Sequence, residues 1–140
     1  MAETFQFKLV TPTGVLFDGA VEQVTAVGAL GEFGVLPLHT NFITSVVPGI
    51  LTLKISGSSF TEYLVAGGLA EVQDGVMTVL ALEADPPGKV DSAAAAATIA
   101  AAEDRLSQMS MFDPGYEDAA QALAVARVRS QVDHLLRAPH

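Results

Sequence analysis

Apolar and polar positions follow two different rhythms along this chain, and the rhythm changes once. In the first part, Phe5, Phe7 and Leu9 alternate with Gln6 and Lys8. A period of two is the mark of a strand with one buried face. Short strand-like runs recur at Val15–Phe17, Val21–Val27, Ile50–Ile55, Phe60–Ala66, Leu69–Gln73 and Val76–Glu83. Turn chemistry separates them. In Thr11-Pro12-Thr13-Gly14 the proline presets φ at the second position and glycine follows at the fourth, which predicts a type I turn. Asp18-Gly19 and Asp74-Gly75 are two-residue hairpin signals, because both central positions of that turn need positive φ. Pro48-Gly49 suits a type II turn. Short strands with regular turns predict an antiparallel sandwich or barrel.

The change comes at Asp85-Pro86-Pro87-Gly88, where prolines and glycine forbid both a continuing strand and an immediate helix. The expected division is residues 1–87 and residues 88–140. Beyond it alanine dominates. Asp91 or Ser92 can cap a helix by accepting from its free N–H groups. Ala95, Ile99, Ala102, Leu106 and Met109 recur at steps of four and three, one stripe of a helix. Met111-Phe112-Asp113-Pro114-Gly115 ends it, and a second helix is expected from about Tyr116 to Arg137. Its apolar stripe is Val125, Val128, Val132, Leu135 and Leu136. Two helices joined by a short turn form an antiparallel hairpin. Leucine would bury three more carbons than alanine at each stripe position, at ~0.8 kcal/mol per buried CH₂. The tail is therefore expected to be intrinsically helical yet weakly attached, able to detach without melting.

Composition narrows the chemistry. Half the residues are apolar, enough for a core built without tryptophan. Cysteine is absent, which excludes disulfides, thiolate metal sites and a cysteine nucleophile. The formal charge is −9 and no Lys/Arg run exists, so nucleic acid is not an expected partner. The first residues hold no basic region followed by an apolar one, so no signal peptide is expected. No apolar run approaches the ~18–20 residues of a membrane span. Residues 1–88 carry nine acidic and two basic side chains, whereas residues 89–140 carry seven and five. Most of the cations thus lie in the tail, where Arg127, Arg129 and Arg137 fall off the apolar stripe. They are either a solvated face or a contact for an acidic partner.

Catalytic signatures are missing. His39, His134 and His140 are scattered, no H-E-x-x-H motif occurs, and no metal site is expected. Gly28, Gly31 and Gly34 lack the Gly-Lys-Ser/Thr of a phosphate loop and precede a strand-like Val35-Leu36-Pro37, not a helix. They read as a loop with unusual φ angles, with Glu32 at its tip, well placed for a partner. No nucleophile elbow is present, and Glu62, Glu71 and Glu83 occur singly.

Several segments together resemble the epsilon subunit family of F-type ATP synthases, whose mitochondrial counterpart is called delta. In order they are Leu9-Val10-Thr11-Pro12-Thr13-Gly14, Phe17-Asp18-Gly19, Gly31-Glu32-Phe33-Gly34-Val35-Leu36-Pro37-Leu38-His39, Pro48-Gly49-Ile50-Leu51, Gly67-Gly68-Leu69-Ala70-Glu71-Val72 and Val76-Met77-Thr78-Val79-Leu80-Ala81. The resemblance implies an α+β fold, mainly β: a flattened antiparallel sandwich of about ten strands, then a two-helix hairpin. It implies a non-catalytic central-stalk subunit, with no cofactor, that grips the gamma subunit, rests on the c-ring and couples ring rotation to ATP synthesis. The helical tail of such a subunit can reach the catalytic head and restrain ATP hydrolysis. The implied location is the cytoplasmic face of the bacterial inner membrane, peripheral and held only through the complex.

Carried over by residue, Gly31 and Glu32 match the loop facing the c-ring, and Leu36, Pro37 and His39 match the region near gamma. Arg127 and Arg129 lie where relatives turn basic residues toward the alpha and beta subunits. One departure stands out. The ATP-binding motif of some bacterial members, Ile/Leu-Asp-x-x-Arg-Ala, corresponds here to Val90-Asp91-Ser92-Ala93-Ala94-Ala95. Asp91 is kept, but Ala94 replaces the arginine that would fork onto phosphate. ATP binding is therefore expected to be weak or absent. A structural and regulatory rotor subunit is favoured over a nucleotide-sensing module, and a free-standing hydrolase is remote.

Overall fold

The computed structural model describes residues 3–136. Ten strands come first: β1 (Phe5–Thr11), β2 (Gly14–Val21), β3 (Gln23–Gly28), β4 (Gly31–Val35), β5 (Phe42–Val46), β6 (Gly49–Ser56), β7 (Ser59–Val65), β8 (Gly68–Gln73), β9 (Val76–Ala81) and β10 (Ala84–Asp85). A 3-10 turn at Pro87–Lys89 leads to helices α1 (Ser92–Ser107), α2 (Tyr116–Ser130) and α3 (Val132–Leu135). The strand order is β10-β7-β6-β3-β5-β8-β9-β1-β2, with β4 attached to β3. Every pairing is antiparallel except β1 with β9. That parallel pair needs a long crossover, which the intervening strands supply.

The alternation in β1 is the alternation of its burial: Phe5, Phe7 and Leu9 are buried and Gln6 and Lys8 exposed. Phe7 and Leu9 meet Val24, Leu53, Tyr63, Met77 and Val79 in the main core. Tyr63 of β7 donates to the Leu16 carbonyl of β2 at 3.4 Å, joining strands far apart in the order. β6 and β7 are buried on both faces. Leu51, Leu53, Tyr63 and Val65 face the main core, while Ile50 and Leu64 form a second cluster with Val132 of α3. This explains why Ile50-Leu51-Thr52-Leu53 does not alternate cleanly.

The turns are only partly as expected. Asp74 and Gly75 take φ of 51° and 81° and close the β8–β9 hairpin. Asp18-Gly19 makes no turn: both residues pair within β2, opposite Lys8 and Phe7. The β1–β2 reversal is made by the Thr11–Gly14 segment alone, and the hairpin expected at Asp18-Gly19 does not form because β1 pairs across both residues. Gly49 does not take positive φ, so no type II turn forms there. Glycine is needed at that position for space, because a Cβ would sit 2.7 Å from Val27 Cγ2. The expected single run Val21–Val27 breaks at Glu22, and Val76–Glu83 ends as a strand at Ala81. β4 and β5 lie outside the runs expected from alternation, and of the strand-like Val35-Leu36-Pro37 only Val35 is in a strand.

In the tail, the Asp91 carboxylate accepts from the Ala94 N–H at 2.9 Å and caps α1. The expected α1 stripe is sheltered: Ala95 is buried and Ile99, Ala102 and Leu106 are half-buried, as is Met109, which lies beyond the end of the helix at Ser107. The turn is closed by Asp113, whose carboxylate accepts from the Ser110 N–H at 2.8 Å. The second helix is interrupted at Gln131, and its expected end at Arg137 lies outside the described residues. Its expected stripe is sheltered except at Leu135, which is exposed: Val132 is buried and Val125, Val128 and Leu136 are half-buried, with Ala119 and Leu123 buried as well. Val128, Val132 and Leu136, spaced by four, pack in one cluster against Ile50 and Leu64, so the stripe carries across the break at Gln131.

Candidate partner interfaces

The Gly28–Gly34 segment is a hairpin. β4 pairs with β3 from Val24↔Val35 to Gly28↔Gly31, so the segment is mostly strand. Its tip is Ala29-Leu30, with Leu30 fully exposed. Glu32 is one step back, exposed, opposite Val27. Gly31 carries the positive φ, 120°, that opens the strand; Gly28 and Gly34 do not share it.

The chain then leaves β4 into the segment that holds Leu36, Pro37 and His39. Leu36, Leu38 and His39 are exposed and Pro37 half-buried. His39 N–H donates to the Leu36 carbonyl at 3.2 Å, and the imidazole Nδ1 lies 2.8 Å from the Thr40 carbonyl. Asn41 binds Asp74 twice: its amide donates to the carboxylate at 3.4 Å and its carbonyl accepts from the Asp74 N–H at 3.0 Å. Two of the candidate groups, Gly31-Glu32 and His39, line one cleft of about 470 Å³ with Phe33 and Phe42.

The tail arginines sit apart from that cleft and apart from each other. Arg127 reaches back to Glu103 of α1 at 3.3 Å. Arg129 turns to the sandwich, 3.0 Å from Glu83 and 3.5 Å from Asp85. Gln121 also crosses, donating to the Ala66 carbonyl. Glu83 stands alone in the sequence pattern, which gives no contact role to Asp85, Gln121, Phe33 or Phe42. No local signal marks an ion pair spanning more than forty residues, though Gln121 between buried Ala119 and Leu123 was a visible polar intrusion. Arg137 and His140 lie outside the described residues.

Between hairpin and sandwich lies a cleft of about 800 Å³. Asp91, Ala94, Ala95, Ala122 and Ala126 line it, so the small side chains leave space instead of filling it. Its charged rim holds four carboxylates (Glu83, Asp85, Asp91, Asp118) against two cations (Lys89, Arg129). Asp91 is occupied as a helix cap and Arg129 as an ion pair. That balance does not favour a polyphosphate.

Glu62 is buried and accepts from the Thr52 hydroxyl at 3.0 Å across β6 and β7. Burial raises the Tyr63 pKa above its ordinary value. Among the described residues no group of three or more His, Asp or Glu side chains is placed to hold a metal ion. No helix among them is long and apolar enough to cross a membrane.

Comparison with known proteins agrees with the architecture. Residues 4–87 match the family described as the ATP synthase delta/epsilon chain, beta-sandwich domain. The chain is 40% identical over 132 residues to the ATP synthase epsilon chain of Geobacter metallireducens, covering 94% of this chain and 95% of that one. It is 44% identical over 114 residues to the ATP synthase epsilon chain of Afipia carboxidovorans, covering 81% of each. A chain of the Euglena gracilis mitochondrial ATP synthase shares its fold, with a TM-score of 0.79 at 24% identity, covering 94% of this chain and 82% of that one. With a matching sandwich domain and close relatives aligned along nearly its full length, this chain belongs to the ATP synthase delta/epsilon family.

Proposed function

We propose that this chain is a central-stalk rotor subunit of a proton-translocating F-type ATP synthase. It grips the gamma subunit, rests on the c-ring, and couples ring rotation to ATP synthesis in the alpha/beta head. It is not itself a catalyst. Residues 1–87 are the coupling unit and residues 88–140 the regulatory one, and the chain is held at the cytoplasmic face of the inner membrane through the complex. Gly31 and Glu32 meet the c-ring, and Leu36, Pro37 and His39 meet gamma. The single observation that carries this reading is membership of the family over nearly the whole chain.

In the docked arrangement Arg127 and Arg129 are engaged by Glu103, Glu83 and Asp85. Arg129 must give up Glu83 and Asp85 of the sandwich to face the catalytic head, which supports a tail that restrains ATP hydrolysis only after release, whereas the Arg127–Glu103 pair lies within the hairpin and travels with it. The test is ATP hydrolysis by the reconstituted head, with the full chain and with a version ending near Pro87. Higher hydrolysis with binding retained makes the tail a brake. Unchanged hydrolysis with binding retained leaves the sandwich as a coupling clamp alone. Failure of the full chain to bind the head and gamma removes the proposal.

A further inference from the structure

We propose that Phe42 is a positioning residue that joins the c-ring contact and the gamma contact into one stiff unit. The inference rests on the assignment of Glu32 and His39 to those partners. β4, which carries Glu32, is held to the sheet through β3 alone. A strand with one ladder is the part of a sheet that opens most readily. A rotor contact placed there needs a second support if load is to pass inward.

The aromatic rings supply one. Phe33 of β4 meets Phe42 edge to face, with centroids 6.0 Å apart. The same Phe42 ring has the His39 imidazole at 5.0 Å. Edge-to-face pairs are favourable beyond the area they bury. Phe42 is well anchored itself: it opens β5 opposite Val72 of β8, and both Phe33 and Phe42 pack on the main core. At Gly28 a Cβ would lie 3.3 Å from the Phe33 ring, so glycine there permits the close approach. On the other side, Asn41 ties the His39 segment to Asp74 at the β8–β9 turn. Glu32 and His39 therefore communicate through Phe33 and Phe42, not only through the chain between them.

The experiment compares Phe42→Leu, Phe42→Tyr and Glu32→Ala. Hydrogen exchange is read in the full chain, and ATP-driven proton pumping per ATP hydrolysed is read in the reconstituted synthase, per bound subunit. Phe42→Leu keeps an apolar side chain, somewhat smaller, but removes the ring. It is expected to speed exchange of the residue 31–35 amides about two- to tenfold and to lower pumping per ATP while the subunit stays bound. Phe42→Tyr, which keeps the ring, is expected to restore both. Unchanged exchange, or faster exchange with undiminished pumping, overturns the role of Phe42. Glu32→Ala separates the two layers. If it leaves pumping and binding untouched, the underlying assignment of Glu32 fails; if it lowers pumping while Phe42→Leu does not, the positioning proposal alone fails.

Discussion

Arg129 of α2 holds its guanidinium 3.0 Å from the carboxylate of Glu83, forty-six residues earlier in the chain and on the far side of the Pro86-Pro87 break. Asp85 lies 3.5 Å from the same nitrogen. One cation thus spans two carboxylates of the sandwich, and its Nε is buried without a hydrogen-bond partner among the described residues. The arginine side chain is one-third exposed and Glu83 two-thirds exposed, so water and salt screen the contact.

Arg129→Ala is therefore expected to cost only about 0.2–1 kcal/mol of docking. The signature is local: amide exchange in α1 and α2 rises a few-fold, and exchange in the main core does not change. High salt should mimic the substitution in the native chain and have little further effect in the variant. Equal loosening of sandwich and tail would show that Arg129 supports the whole fold and not the docking alone.

The apolar part of docking centres on Val132, which is buried against Ile50 and Leu64 with Val128 and Leu136 packed beside it. Val132→Ala is expected to weaken the dock by about 1.6 kcal/mol, two buried carbons at ~0.8 kcal/mol each. The helices should keep their circular dichroism, because alanine is the better helix former. Limited proteolysis checks this: cleavage near Gly88 should accelerate in the variant. Unaltered cleavage would mean that the alanine-lined face around the 800 Å³ cleft holds the tail better than its packing implies.

Tyr63 makes a pH prediction. Burial raises its pKa, so the folded state keeps the phenol proton when the unfolded chain has lost it. Stability from this group is present below the unfolded value of about 10 and is lost as pH rises from there through the higher folded value. Urea unfolding from about pH 8 to about pH 11 should show that decline, and Tyr63→Phe should flatten it. The variant also loses the 3.4 Å hydrogen bond to Leu16, a cost near 1 kcal/mol at most. An identical alkaline slope in the variant would assign the loss to other groups.

ATP is expected to bind weakly or not at all. Ala94 offers no cation, Asp91 caps α1, and the nearby cleft carries more carboxylates than cations. Isothermal titration of the full chain should show no saturable heat at micromolar ATP. A micromolar dissociation constant would mean that Lys89 and Arg129 are recruited from their present positions to hold the phosphates.

Local pattern decided a good part of the fold. The period of two in Phe5–Leu9, the four-three stripe from Ala95 to Met109, the Asp91 cap and the Asp74-Gly75 turn are each visible within a few residues, and each is found where it was read. They are legible because strand alternation, helix capping and positive φ are properties of neighbours along the chain. Where a second layer intrudes, the pattern fails: Ile50 and Leu64 are apolar on the outward face because helix α3 covers them, and Asp18-Gly19 looks like a turn although it is paired.

By itself, then, the sequence determined that a β half precedes an α half, and which side of β1 and α1 turns inward. Tertiary structure decided the parallel β1–β9 pairing, the hairpin that carries Glu32, the meeting of Phe33, Phe42 and His39, and the carboxylates that receive Arg127 and Arg129. The reason is physical. Periodicity reports which face of one element prefers to leave water, but the partner on that face is chosen by register and topology, which bring together residues that no local rhythm connects.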